Sequence, residues 1–183
     1  RFYGSITSRG GAAGGDGGFT EVSGKQYLAF DPAGIDLSAV AGASGTLLLD
    51  PLNITVDDTL AETIAALPAG AAELLFAGGT GTENVRAATL IGGGASVVLQ
   101  ATQDITITSA LVLTNAGDTI TMNAGRTINV NANVGTNNGA ISLTANHDGG
   151  FNNAARAAGA GDITMAGGTT INAGNQNIDI TVD

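Results

Sequence analysis

Short segments in which apolar and polar residues alternate recur along the second half of this chain. SVVLQA (96–101), TITMNA (119–124), AISLTA (140–145) and DITMA (162–166) all carry the period of two that marks a half-buried β-strand. Aligned on their first apolar residue, they give one inward row of Val97, Ile120, Ile141 and Ile163, evenly spaced along the chain. A second inward row is Leu99, Met122, Leu143 and Met165, and Ala101, Ala124 and Ala145 follow in three of the four. Another strand family follows at a fixed offset, from Val97 to Ile105, from Ile120 to Ile128 and from Ile163 to Ile171. Its segments are DITITSA (104–110), TINVNA (127–132) and TTINA (169–173). A fainter third family takes Leu111, Leu113 and Val134, with Ile178 and Ile180 as its last members.

The first half repeats as well. YLAFDPAGIDLS (27–38) matches TLLLDPLNITVD (46–57) position by position. Leu28 falls on Leu47, Phe30 on Leu49, Asp31-Pro32 on Asp50-Pro51, Ile35 on Ile54 and Leu37 on Val56. Each copy is a short strand, an Asp-Pro turn and a second short strand. A unit this small cannot bury itself, so a repeat of about 20 residues predicts stacked units, a solenoid. Three short strands per circuit of about 19–23 residues describe an all-β parallel β-helix, roughly eight circuits and on the order of 40 Å long. Asn123, Asn129, Asn131 and Asn172 are candidates for amide ladders between circuits.

Two stretches interrupt the rhythm. Residues 58–70 predict a short helix. Thr59 and Glu62 have capping-box spacing, Leu60, Ile64 and Leu67 form a stripe, and Pro68 and Gly70 close it. Residues 146–161 read as a surface loop or an extended corner, falling where the second strand of the Ile141 circuit should be. With these two insertions, 1–183 is one β-helical segment, expected to belong to a longer chain because the pattern is already under way at Arg1-Phe2-Tyr3.

Composition sharpens this picture. There are 29 Gly and 12% charged residues, and 16 Asp and Glu face 6 Lys and Arg for a net charge of −10. That balance argues against a nucleic-acid partner or an anionic membrane surface, both of which need a basic footprint. No apolar run reaches the roughly 18 residues of a membrane span, so no membrane insertion is expected. Without cysteine there is no disulfide framework and no thiolate chemistry.

Candidate chemistry is sparse, and no catalytic, cofactor or metal residue is assigned. His147 is the single histidine and reads as a loop residue without ligand partners. Asp57-Asp58 is the adjacent acidic pair; it could contribute oxygens to Ca²⁺, but helix entry already suits it. Asp31-Pro32 and Asp50-Pro51 are turn residues. A polysaccharide lyase or hydrolase built on such a fold needs clustered carboxylates with a cation on one face. Here Arg1, Arg9, Lys25, Arg86, Arg126 and Arg156 are scattered, and Lys25 could meet Glu21 alone. Thr106/Thr108 and Thr119/Thr121 lie in different strand families, so no flat threonine array follows. Asn53-Ile54-Thr55 fits a glycosylation acceptor but lies inside a predicted strand.

Several stretches resemble a known family. GGFTEVSGK (17–25) followed by GIDLSAVAGASGTLLLDPLNITV (34–56) is similar to the shaft of filamentous-haemagglutinin-like exoproteins of the two-partner secretion pathway. VRAATLIGGGASVVLQATQDITI (85–107) and MNAGRTINVNANV (122–134) resemble shaft repeats of the same proteins. The resemblance implies a right-handed parallel β-helix in a very large bacterial protein, secreted and held at the cell surface. It implies no shared catalytic residue. The expected role is a structural rod for adhesion or an extracellular fibre. Its partners would be a host or cell surface or other exoprotein chains, including end-to-end or lateral self-association. The alternative is a glycan- or partner-binding module that uses the surface loops.

Overall fold

Strands that bury one row of Ile, Val and Leu and expose the next must find neighbours that do the same. A computed structural model, describing residues 2–24, 28, 30, 32–59, 82–147 and 161–183, pairs them in parallel sheets with one short helix. The first sheet runs, in spatial order, β2 (Phe19–Ser23), β4 (Thr46–Asp50), β7 (Ser96–Ala101), β10 (Ile120–Ala124), β13 (Ile141–Ala145) and β16 (Ile178–Val182). The second runs β6 (Thr82–Val85), β5 (Asn53–Val56), β8 (Ile105–Ile107), β11 (Ile128–Val130) and β14 (Ile163–Met165). A third group contains β9 (Leu111–Ala116), β12 (Val134–Asn137) and β15 (Ile171–Asn172), and separately β1 (Ser5–Thr7) with β3 (Gly34–Asp36). Helix α1 (Ala87–Gly92) packs against both β3 and β9 and so links the two parts of that group. From β7 onward the chain visits first, second and third group in strict rotation, a path consistent with a β-solenoid.

The apolar columns are the core. Leu47, Val97, Ile120, Ile141 and Ile178 are register partners in turn across the first sheet. Leu49, Leu99, Met122, Leu143 and Ile180 form the next column. Ile54, Ile105, Ile128 and Ile163 do the same in the second sheet. Leu47, Leu49, Val97, Leu99, Ile105, Ile120, Met122, Ile128, Ile141 and Leu143 are all buried. At β16 the same columns reach solvent, and Ile178, Ile180 and Val182 are 41%, 52% and 52% exposed. Glu83 is an inward position that breaks the apolar rule. It takes the place opposite Ile54, is 6% exposed, and accepts the Phe30 amide at 2.9 Å.

Several sequence expectations need correction. Ile163 does not continue the Val97–Ile120–Ile141 column but pairs with Ile128, and Met165 pairs with Val130. Ile171 pairs with Val134 in the third group, and Ile178 takes the first-sheet place. The last circuit is thus displaced by one sheet. After β13 the next described strand, β14, is the missing second strand rather than a new first one. The interval from Ile141 to Ile163 merely imitates a full period.

The repeat in the first half is also not one circuit stacked on the next. Leu47 and Leu49 pair with Thr20 and Val22, while Ile35 pairs with Ile6. Phe30 bridges Phe2, with the two rings stacked at 6.1 Å. The copies use the same strand–turn–strand wording at two different corners. Six strands stack in the first sheet, fewer than chain length over period predicts. The shortfall comes from the long stretches between Leu47 and Val97 and between Ile141 and Ile178, neighbours in the column although well over one period apart. The proposed asparagine ladder is absent among the described residues. Asn123 lies beside Gln100 and Thr144, Asn129 beside Thr106 and Thr164, and Asn172 beside Gly135. The Asn131 backbone amide donates to the Ile107 carbonyl. The predicted helix over 58–70 lies, from residue 60, outside the described residues, as do Arg1, Lys25, Asp31, Arg156 and residues 148–160 of the predicted loop.

Polar side chains instead clamp the corners. A residue at or just before the start of a strand accepts a backbone amide from the equivalent corner of the next circuit. Ser96 Oγ accepts from Thr119, Asn53 Oδ1 from Asp104, and Asn133 Oδ1 from Thr170, each at 3.0 Å. Asp104 Oδ1 accepts from Thr127 at 3.2 Å. All three groups use the device, which satisfies corner amides that the ladders do not reach. Helix α1 follows from Ala and Leu in AATLIG, with Ala87 and Leu90 buried, and the chain leaves it through Gly94 at φ +56°.

Two substitutions probe this packing. Ile120→Ala empties a fully buried column position and is expected to cost about 2–5 kcal/mol, whereas Thr121→Ala on the outward face should stay within about 0.5 kcal/mol. At Gly139 a Cβ would lie 1.8 Å from the Asp118 carbonyl oxygen. Gly139→Ala must therefore move backbone and should cost about 1–3 kcal/mol. Urea denaturation of the three variants checks both statements.

Candidate functional site

The outward face of the second sheet gathers the polar side chains most closely. Asn84, Thr55, Thr106, Asn129 and Thr164 form one outward column across five strands. The Thr164 hydroxyl donates to Asn129 Oδ1 at 2.8 Å, and Asn129 Nδ2 donates to Thr106 Oγ1 at 3.4 Å. At the corner that feeds this sheet, Arg126 meets Asp104 of the preceding circuit. Arg126 Nε donates to Asp104 Oδ1 at 2.7 Å, and Nη2 bonds Asp104 Oδ2. These hydrogen bonds, with the carboxylate's charge, raise the guanidinium pKa above its usual value. Beside the pair lies an open depression of about 300 Å³, lined by Asn53, Ile54, Thr55, Thr82, Gln103, Asp104, Thr106 and Arg126.

The other sequence candidates fall elsewhere. Asp57 Oδ1 accepts the Thr59 amide and hydroxyl, and Asp57 Oδ2 accepts the Thr108 hydroxyl, all at 2.6 Å. Asp58 does meet a helix amino-terminus, but that of α1, accepting the Ala88 amide at 3.1 Å. Its own amide donates to Ser109 Oγ. The pair thus ties the end of β5 to α1 and to the corner after β8. His147 Nδ1 lies 3.4 Å from Asp183 Oδ2, next to the end of β16. Thr106 and Thr121 sit on different sheets, as their strand families predict. Asn53 begins β5, and its side-chain oxygen is engaged with Asp104. Arg9 pairs with Asp36 at 3.3 Å on the surface.

The Asp104–Arg126 pair escapes a residue-by-residue reading because the two are 22 positions apart. The circuit length itself is the available signal, since residues one period apart become neighbours. Helix α1 carries a weaker signal, the short Ala-Ala-Thr-Leu-Ile run before three glycines.

Shifted pKa values mark Asp118, Asp50 and Asp36. Burial raises that of Asp118, against hydrogen bonds from Ser44 and Asn115 that lower it. Burial, then the Glu21 charge, raises that of Asp50. Hydrogen bonds from the Ser38 hydroxyl and amide, with the Arg9 charge, lower that of Asp36. Among the described residues, no cluster of three or more His, Asp or Glu is placed to hold a metal, and no helix is long and apolar enough to cross a membrane. Compared with protein-family models, characterised proteins and solved structures, the chain shows no match.

Asp104→Ala removes both the ion pair and the Thr127 acceptor, and is expected to cost about 1–3 kcal/mol; Arg126→Gln leaves the corner bond and should cost no more than about 1 kcal/mol. Chemical denaturation of both variants measures the difference. A raised folded pKa means that the folded state holds its proton more tightly than the unfolded chain. Asp50 and Asp118 should therefore add stability as pH falls from their raised values to the ordinary aspartate value of about 3.9. Asp36 acts oppositely, losing its contribution as pH falls through its lowered value. Melting curves against pH should show an acid-side gain in the native chain relative to D50N/D118N.

Proposed function

We propose that this chain is a rod segment, a right-handed parallel β-helix that forms part of the shaft of a large secreted bacterial surface protein. The observation that carries the reading is the unbroken first-sheet column from Leu47 to Ile178. Such columns let stability grow by nearest-neighbour contacts, so the unit extends without a closed core. Right-handedness follows from the strong preference of parallel strand connections for that hand. The stretches similar to filamentous-haemagglutinin-like shafts support the same assignment. Its role is mechanical: apolar columns and inter-circuit hydrogen bonds stiffen a projection that carries adhesive parts or builds an extracellular fibre. Secretion and a surface location follow from that role, with other exoprotein chains or a cell surface as partners.

Antibodies raised against residues 2–59 provide the test. They are expected to label intact cells of the source organism along projecting filaments. Labelling that appears only after the cells are permeabilised would overturn the proposal.

A further inference from the structure

The depression beside the Asp104–Arg126 pair has unused hydrogen-bonding capacity. Among the described residues, the Thr55 and Thr82 hydroxyls and the Gln103 side-chain amide make no hydrogen bond. Arg126 uses Nε and Nη2 on Asp104, so its Nη1 donors stay free among the described residues. Hydroxyls, an amide and a guanidinium edge therefore converge on one opening of about 300 Å³, the lower end of the size range of small-molecule sites.

The chemistry of this lining narrows the ligand. A hydroxyl both donates and accepts, as does a primary amide, so the lining suits a partner rich in hydroxyls. Asp104 neutralises Arg126, and the chain carries a net charge of −10, so a polyanion gains little here and is repelled overall. The lining is mostly polar and open, which disfavours an apolar ligand.

We infer that this depression binds a neutral sugar residue of a glycan. The inference stands apart from the shaft reading, because a rod can bear such a site or lack it. Thr55 lies on β5, Gln103 just before β8 and Arg126 just before β11, so the site spans three circuits. It exists only when those circuits are stacked in register. Each contact is solvent-accessible, so binding should be weak, with a Kd on the order of 1 mM.

The experiment is NMR titration of the ¹⁵N-labelled 183-residue chain with mannotriose, cellotriose and galactotriose, and with trigalacturonate as the acidic comparison. At least one neutral trisaccharide is expected to shift the amide resonances of Thr55, Gln103 and Thr106. Thr55→Val keeps strand propensity and shape, and Gln103→Ala removes the partly buried amide. Each should weaken binding about tenfold while the circular dichroism spectrum and melting temperature stay those of the native chain. Absence of shifts with all three neutral sugars, unchanged affinity in both variants, or tighter binding of trigalacturonate would overturn the inference.

Discussion

Ladder hydrogen bonds between equivalent strands of successive circuits hold the alignment on which everything else in this molecule rests. A strand displaced by one residue would turn its inward row to solvent. In β10 that error would turn Ile120 and Met122 to solvent and take them out of the columns they share with Val97, Leu99, Ile141 and Leu143. Corner side chains reinforce the alignment at places where a ladder has ended. Ser96, Asn53, Asp104 and Asn133 each reach one circuit onward to a backbone amide. Apolar burial supplies the driving force, and these polar contacts select one register among several that would bury similar area.

The same alignment creates the polar site. Asp104 and Arg126 are remote in sequence and meet only because adjacent circuits superpose their corners. The Thr164, Asn129 and Thr106 side chains interact for the same reason. A periodic fold thus composes surfaces from residues contributed one per circuit. Change at a single position alters one rung of such a surface and leaves the columns beneath it intact.

Period-two alternation made the strands legible from sequence, and the row Val97–Ile120–Ile141 and the pair Ile105–Ile128 lie where their spacing puts them. What spacing could not resolve was phase. The resumption at Ile163 falls a normal interval after Ile141, although the chain has re-entered a different sheet. Likewise 27–38 and 46–57 share a local pattern but occupy different corners, since strand–turn–strand wording does not specify which sheet it serves. Asp57 and Asp58 were readable as helix-entry residues, but the amide that Asp58 meets lies 30 positions on. Tertiary partners of this kind have no local sequence mark.

Helix α1 stands where neighbouring circuits place a strand, between β3 and β9. At that level the first and second groups are crossed by continuous ladders, β4 to β7 and β5 to β8, whereas the third is joined by side-chain packing and the Leu37–Gly93 bond. Hydrogen bonds along a helix run parallel to its own axis and offer none to strands beside it. Pulling along the stack would consequently load two flanks and spare the other, bending the assembly at this joint before stretching it.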